Sequence, residues 1–432
     1  MENPVLIGVL SFVALIVILF SGIPVAIGLG VVALLGYLLI YGNTGVAAMV
    51  PFATLNSFVL TAVPLFIFMG EVLLQCGISE RLYRGTSRWV GGIPGGLLHS
   101  NVVSCSLFAA ICGSSPATAA TIGTIAIPAL EKRGYDSKLS LGSLAAGGTL
   151  GILIPPSISL IVFGSLAQTS VGALFAGGII PGLVMSSMFM AYIGYACWKN
   201  PALAPGRVKT SPREWLLSLQ DLWPTIFVMG IVLGGIFGGI VTPTEAAALG
   251  ASASVGIALF LRQLNWRNFK TCLANSLSTT CMVLFIVTCA SVFSSFLTTV
   301  GTAREVSGWV IKAGLSKWTI LLAIYAVMMF LGCFIDGLSM MIVMLPTVLP
   351  VLERFGVDMV WFGVVVTVLI EIGMITPPMG LNLFVIQGIS KKSMGEVLGG
   401  TIPFFFIMLI ELALLSVFPE LVLWLPRQLG SG

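Results

Sequence analysis

Ile152-Leu-Ile-Pro155-Pro156-Ser157 and, 222 residues further on, Met374-Ile-Thr376-Pro377-Pro378-Met379 are the two stretches on which the fold of this chain turns. Each sets two adjacent prolines inside a long apolar run. A proline within a helix removes a backbone donor and frees a preceding carbonyl, at ~3 kcal/mol or more. In lipid such a break persists only where other groups satisfy the freed carbonyls.

The same shift pairs Pro128, Leu130, Glu131, Gly134, Asp136, Gly151, Pro155 and Pro156 with Pro350, Leu352, Glu353, Gly356, Asp358, Gly373, Pro377 and Pro378, eight identities in 29 positions without a gap. Upstream of the breaks lie two apolar stretches, 93–130 and 318–350, each too long for one helix and interrupted at its centre by Gly, Ser, Pro or Asp. They read as re-entrant helical hairpins that return to the side they came from. The repeated unit is therefore hairpin, polar turn, broken helix.

Composition agrees with a membrane setting. Of the 432 residues 57% are hydrophobic and 8% charged, against about 25% charged in soluble domains. The apolar runs are continuous rather than alternating, which selects helices over a barrel. Spans are expected near 5–20, 24–41, 52–76, 139–170, 172–198, 222–241, 244–261, 272–300, 358–389 and 398–424. Five segments follow: scaffold helices 1–92, transport repeat 93–170, scaffold 171–300, transport repeat 301–397 and a C-terminal helix 398–432. Ser211–Leu222, short, amphipathic and Trp-bearing, reads as an interfacial helix. No signal segment is expected to be removed, since Val5–Ile40 is better read as two spans.

Lysines and arginines collect in cytoplasmic loops. With both hairpins non-crossing, fifteen of the twenty basic residues fall on one side, among them Arg133 and Lys391; Arg304, Lys312, Lys317, Arg354 and Arg427 fall on the other. That places both termini on the external side and gives the two copies opposite orientation, an inverted-topology architecture typical of secondary transporters. No GxxxxGK[ST] loop is present, so the chain is not expected to hydrolyse ATP.

The chemistry expected at the breaks is that of hard oxygen donors. The hairpin tips are Cys112-Gly113-Ser114-Ser115-Pro116-Ala117-Thr118 and Phe334-Ile335-Asp336-Gly337-Leu338-Ser339, with Asp336 opposite Ser114 in the repeat. Two pockets are predicted, one around Ser114, Ser115 and Gly151 to Ser157, the other around Asp336, Gly337 and Thr376 to Met379. Half-helix C-termini and hydroxyls suit an alkali cation, and half-helix N-termini suit an anion. The plainer reading is that Pro-Pro is a packed kink and the Gly/Ser segments serve close packing; two copies at one spacing favour sites. Glu71, Glu245 and Glu371 are further functional candidates, with helix capping as the alternative for Glu245. Glu411 reads as a packing or partner contact. The lone His99 reads as packed or pore-facing, and the eight cysteines, without CxxC spacing, as packing residues.

Several motifs carry a family resemblance. Gly22-Ile-Pro24-Val-Ala-Ile-Gly28, Pro64-Leu-Phe-Ile-Phe-Met-Gly70-Glu71, Gly113 to Gly123, Ile154-Pro-Pro-Ser157, Thr242-Pro-Thr-Glu-Ala-Ala-Ala248 and Ile375-Thr-Pro-Pro-Met-Gly-Leu-Asn382 together resemble the large membrane subunit, DctM-like, of tripartite ATP-independent periplasmic (TRAP) transporters. The resemblance covers essentially the whole chain. It implies Na+-coupled uptake of an organic acid, such as a C4-dicarboxylate, sialic acid, keto acid or sulfonate, across a bacterial inner membrane by an elevator movement. It also implies a periplasmic substrate-binding protein and a separate small four-helix membrane subunit as partners, alongside membrane lipids and without nucleic acid or organic cofactor. Carried over by position, Ser114, Ser115, Gly151 and Pro155 would form one Na+ site. Asp336, Gly337, Thr376 and Met379 would form the other, with Ser157, Ser159 and Asn382 facing substrate. The alternatives are a stand-alone inverted-repeat Na+/organic anion symporter and an intramembrane enzyme. Against the enzyme, Ser114 has no identifiable base and Asp336 no catalytic partner.

Overall fold

The computed structural model describes residues 4–205, 212–302, 304, 305, 308 and 314–430. Arg207, Lys209, Ser211 and Lys312, which entered the charge and interface expectations, lie outside the described residues. Among the described residues every regular element is helical. Ahead of the first repeat stand α1 (Pro4–Phe20), α2 (Val25–Tyr41), α3 (Gly45–Leu55), α4 (Ala62–Gln75) and α5 (Ile78–Val90). The first repeat comprises α6 (Leu97–Cys112), α7 (Ser115–Glu131), α8 (Ser137–Leu153) and α9 (Ile158–Leu166). Next come α10 (Val171–Lys199), α11 (Pro212–Phe237), α12 (Pro243–Phe260) and α13 (Trp266–Val300). The second repeat is α14 (Lys317–Gly332), α15 (Gly337–Arg354), α16 (Met359–Met374) and α17 (Leu381–Ser390), followed by α18 (Met394–Val417) and α19 (Glu420–Gln428).

The 222-residue period is built into the helix starts. α7 begins at Ser115 and α15 at Gly337, α8 at Ser137 and α16 at Met359. Asp136 caps α8 by accepting from Leu139 N at 2.8 Å, and Asp358 caps α16 by accepting from Val360 N and Trp361 N at 2.8 and 3.0 Å. A cap fixes a helix start through bonds to the next three residues, so an Asp at the same position of each repeat imposes the same start. The period also runs past the prolines, since Gly177-Gly178 and Pro181 of α10 recur as Gly399-Gly400 and Pro403 of α18.

Several expected spans take a different form. The run 52–76 is not one straight helix, because α3 and the Val59–Gln75 helix meet at 58°. The run 358–389 divides into α16 and α17 at the second break, and 398–424 stops at Val417, where α19 follows. The predicted interfacial helix is instead the first part of α11, continuous to Phe237. Its packing explains why. Asp221 of α11 accepts from Arg88 Nη1 at 3.0 Å and lies 3.8 Å from Arg84, and Trp89 Nε1 donates to Ser218 Oγ at 2.6 Å. These ties hold the segment lengthwise against α5. Among the described residues seven helices are long and apolar enough to cross a membrane, eight counting the bent pair. One of the seven is Gly337–Arg354, read from sequence as a hairpin arm, because length and apolarity do not separate an arm from a span.

The centre of the molecule is α8, buried from Leu139 to Leu153 and packed on α6, α7 and α18. Gly142 and Gly400 make the α8–α18 crossing possible. A Cβ on either would collide with the other helix's backbone, at the Gly400 and Lys138 carbonyls respectively. Polar ties stitch α5, α6 and α8 together, with Tyr83 OH donating to Asn101 Oδ1 at 3.1 Å and Asn101 Nδ2 donating to Ser143 Oγ at 2.9 Å. Buried bonds of this kind contribute about 1 kcal/mol each.

Candidate functional site

The first hairpin turns at Gly113, whose φ of +62° suits glycine. A Cβ there would sit 3.1 Å from the Pro156 carbonyl oxygen, and one on Gly151 would sit 2.7 Å from the Ser114 carbonyl oxygen. The tip is thus seated in its own break, as the repeat predicted. Ser114 is the N-cap of α7 but makes no side-chain cap bond. Ser115 Oγ donates to the Thr149 carbonyl at 3.1 Å, and Thr118 Oγ1 donates to the Ser114 carbonyl at 2.8 Å. A hydroxyl that spends its proton in this way keeps its lone pairs for another donor or a cation.

The second tip is seated differently. Asp336 caps α15, its Oδ2 accepting from Ser339 N at 3.1 Å. Gly337 lies directly on Ile370 of α16, leaving no room for a side chain. Met379 N donates to the Cys333 carbonyl at 3.0 Å, and the Thr376 hydroxyl donates to the Ile372 carbonyl. Asp336, Gly337 and Met379 border a void of about 10 Å³ that Gly332, Gly373 and Gly380 also line, room for one water-sized particle. Both Pro-Pro bonds, 155–156 and 377–378, are cis.

The two tips also border one larger cavity. A space of about 320 Å³ is bounded by Ser114 and Ser115 of the first tip, Asp336 of the second, Ser159 just past the first break, and Thr279, Met282, Val283 and Ile286 of α13. Among the described residues that line it, Asp336 is the single ionisable one. Gly151 and Pro155 stand behind the first tip. Pro155 turns towards α10, where a Cβ on Gly178 would be 3.7 Å from its ring.

Two residues expected to face substrate are not brought to the cavity. Ser157 is buried and caps α9, its Oγ accepting from Leu160 N at 3.4 Å. Asn382 is buried and donates from Nδ2 to the Ala145 carbonyl of α8 at 3.2 Å, tying α17 to the first repeat. The reason is geometric: each sits at a helix start whose side chain is taken by the helix or its neighbour.

Of the other candidates, Glu245 forms a reciprocal capping box with Thr242, as the capping alternative foresaw. Glu71 Oε2 accepts from Asn275 Nδ2 at 3.2 Å, beside the α13 wall rather than in the cavity. His99 is buried with Nε2 2.7 Å from the Pro94 carbonyl, a packed histidine. The scaffold contribution of Thr279 was missed, because α13 reads as one uninterrupted apolar span with nothing in the sequence to mark which face meets the tips.

Comparison with known proteins supplies the family. Residues 12–421 match the family described as tripartite ATP-independent periplasmic transporter, DctM component. The C4-dicarboxylate TRAP transporter large permease protein DctM of Pseudomonas aeruginosa is 37% identical over 384 residues, 88% of this chain and 89% of that protein. The isethionate TRAP transporter permease protein DctMQ of Oleidesulfovibrio alaskensis is 35% identical over 410 residues, 93% of this chain and 64% of that longer protein. Among solved structures, the YdaH transporter of Alcanivorax borkumensis superposes with a TM-score of 0.61 at 14% identity, covering 89% of each chain, a likeness of fold. These relatives are transporter permeases and not enzymes, which removes the intramembrane-enzyme alternative. On its match over nearly the full length, the chain belongs to the DctM-component family of tripartite ATP-independent periplasmic transporters.

Proposed function

We propose that this large permease carries a small carboxylate- or sulfonate-bearing anion inward across the bacterial inner membrane, driven by Na+. The observation that carries the reading is the shared cavity, whose single ionisable wall group is the Asp336 carboxylate. Charges of like sign a few Å apart repel strongly inside a protein. An anion therefore enters that cavity only together with cations, and the cavity's hydroxyl and carboxylate oxygens suit Na+ rather than a soft metal. Asp336, Gly337, Thr376 and Met379 would hold one Na+ beside the small void. Ser114 and Ser115, backed by Gly151 and Pro155, would hold another, leaving Ser159 and Thr279 to face the substrate.

The elevator reading rests on how the parts are joined. The tips, the breaks, α8 and α18 are joined by close contacts at glycines, whereas α13 packs on α15 and borders the cavity between the tips. The joined group would move as one body against α13, with the two repeats in opposite orientation and both termini periplasmic, as the basic residues suggest. The isethionate relative is longer than this chain, which fits a partner small membrane subunit, and delivery by a periplasmic binding protein completes the family's scheme.

The purified chain in liposomes tests this reading. Uptake of a C4-dicarboxylate, sialic acid, keto acid or sulfonate should require the small subunit, the binding protein and an inward Na+ gradient together. Saturable uptake by the chain alone would instead favour a stand-alone symporter, and Na+-independent uptake would remove the coupling.

A further inference from the structure

Two carboxyl groups lie inside the protein and outside the shared cavity. Glu371 is on α16 and Glu411 on α18, and neither has any exposed surface. None of their four oxygens has a hydrogen-bond partner among the described residues. Their helices pack on one another, and Glu371 also lies against the backbone of Leu153, the last residue of α8 before the first break. The helices packed on α16 and α18 are α8, α9, α10, α14, α15, α17 and α19; among their described residues the titratable side chain bonded to α18 is Tyr325 of α14, whose OH is 3.1 Å from Ser416 Oγ. The repeat underlines the oddity. The residue 222 positions before Glu371 is Thr149, whose hydroxyl is satisfied by the Ala146 carbonyl at 2.6 Å.

Two ionised carboxylates without a counter-charge are the least favourable occupants of such a place. Neutral acids remove both charges, and a protonated carboxyl gains an O–H with which to donate to its neighbour. A divalent cation is a poorer match, since it gathers six or more oxygens, and among the described residues no three His, Cys, Asp or Glu side chains are grouped so as to hold a metal ion. We infer that Glu371 and Glu411 form a proton-binding site, two carboxylic acids held neutral between the second broken helix and α18. The protons are trapped while the α16–α18 contact stays closed. Any step that opens the contact to water exchanges them with the side it faces.

The test needs no transport. Infrared spectra of the purified protein in lipid should show the carbonyl stretch of a buried carboxylic acid from pH ~5 to ~8, a range in which an exposed glutamate, with its ordinary value near 4.3, is ionised. The band should lose about half its intensity in Glu371→Gln and in Glu411→Gln and vanish in the double variant. It should be unchanged in Asp336→Asn and on adding Na+. If the glutamine variants fail to fold, the wild-type titration and Na+ addition still decide. Absence of the acid band at neutral pH overturns the inference, and a band that Na+ abolishes identifies a cation site instead.

Discussion

The two proline breaks share sequence and spacing and differ in what covers them. At the first, Pro155, Pro156 and Ser157 are buried. α10 lies across it so closely that a Cβ on Gly178 would come 2.6 Å from the Leu153 carbonyl oxygen. At the second, Pro377, Pro378 and Met379 are exposed. The residue 222 positions after Gly178 is Gly400, and it does not cover its own break; it presses on Lys138 and Gly142 of α8, in the other repeat. One repeat closes over itself while the other closes over its partner. Duplicated sequence therefore produced like helices with unlike neighbours, and the asymmetry leaves Asp336 and its void beside the open break.

The largest expected contrast is chemical access. Freed carbonyls at an open break are not tolerated against lipid, so the second break is expected to face water. In a background lacking the eight native cysteines, Met379→Cys should label fully with a small maleimide and Ser157→Cys should stay unlabelled. Equal labelling would erase the distinction between the breaks.

Next in size is the helix crossing. Gly400→Ala forces a methyl into the Lys138 carbonyl and should destabilise the protein by about 3 kcal/mol, the upper part of the overpacking range. Gly178→Ala, against Leu153, should cost about 2 kcal/mol on the same scale. Thermal unfolding in detergent reads both, and a larger loss at Gly178 would make the self-covered break the tighter one.

Asp336→Asn keeps a capping side chain and removes the charge. Half-saturation by Na+ should rise about 10- to 100-fold, as expected for losing a charged partner worth ~1.5–3 kcal/mol. Ser114→Ala, at the equivalent place in the first repeat, should shift it less. Unchanged Na+ dependence in Asp336→Asn would leave the residue as a cap only.

The smallest effect should be a symmetric one. Asp136→Ala and Asp358→Ala each remove an N-cap and should each cost about 1 kcal/mol. Costs that differ by several-fold would show that the asymmetry reaches back to the helix starts.

Much of the fold was legible because its signals are local. The Pro-Pro breaks, the Gly113 turn and the Asp136 and Asp358 caps act through bonds within about four residues, and each was visible in the chain. The seating of the first tip in its own break followed from the repeat. Less legible was the site itself. Ser159 and Asn382 occupy similar positions just beyond the two breaks, yet one lines the cavity and the other bonds to Ala145. The 211–222 segment had the pattern of an interfacial helix, and Arg84, Arg88 and Trp89, more than 120 residues away in sequence, drew it into α11.

The sequence by itself determined the membrane class, the duplicated unit, the positions of its breaks and the family, since hydropathy, proline geometry and capping depend on composition and near neighbours. Only the tertiary structure decided that the two tips share one cavity, that Thr279 of α13 helps to close it, that the second break stays open, and that Glu371 and Glu411 are both buried. Those outcomes depend on which helix surfaces fit one another, glycine against backbone, between segments far apart in the chain. Steric fit of that kind belongs to pairs of surfaces, and neither member's sequence contains it alone.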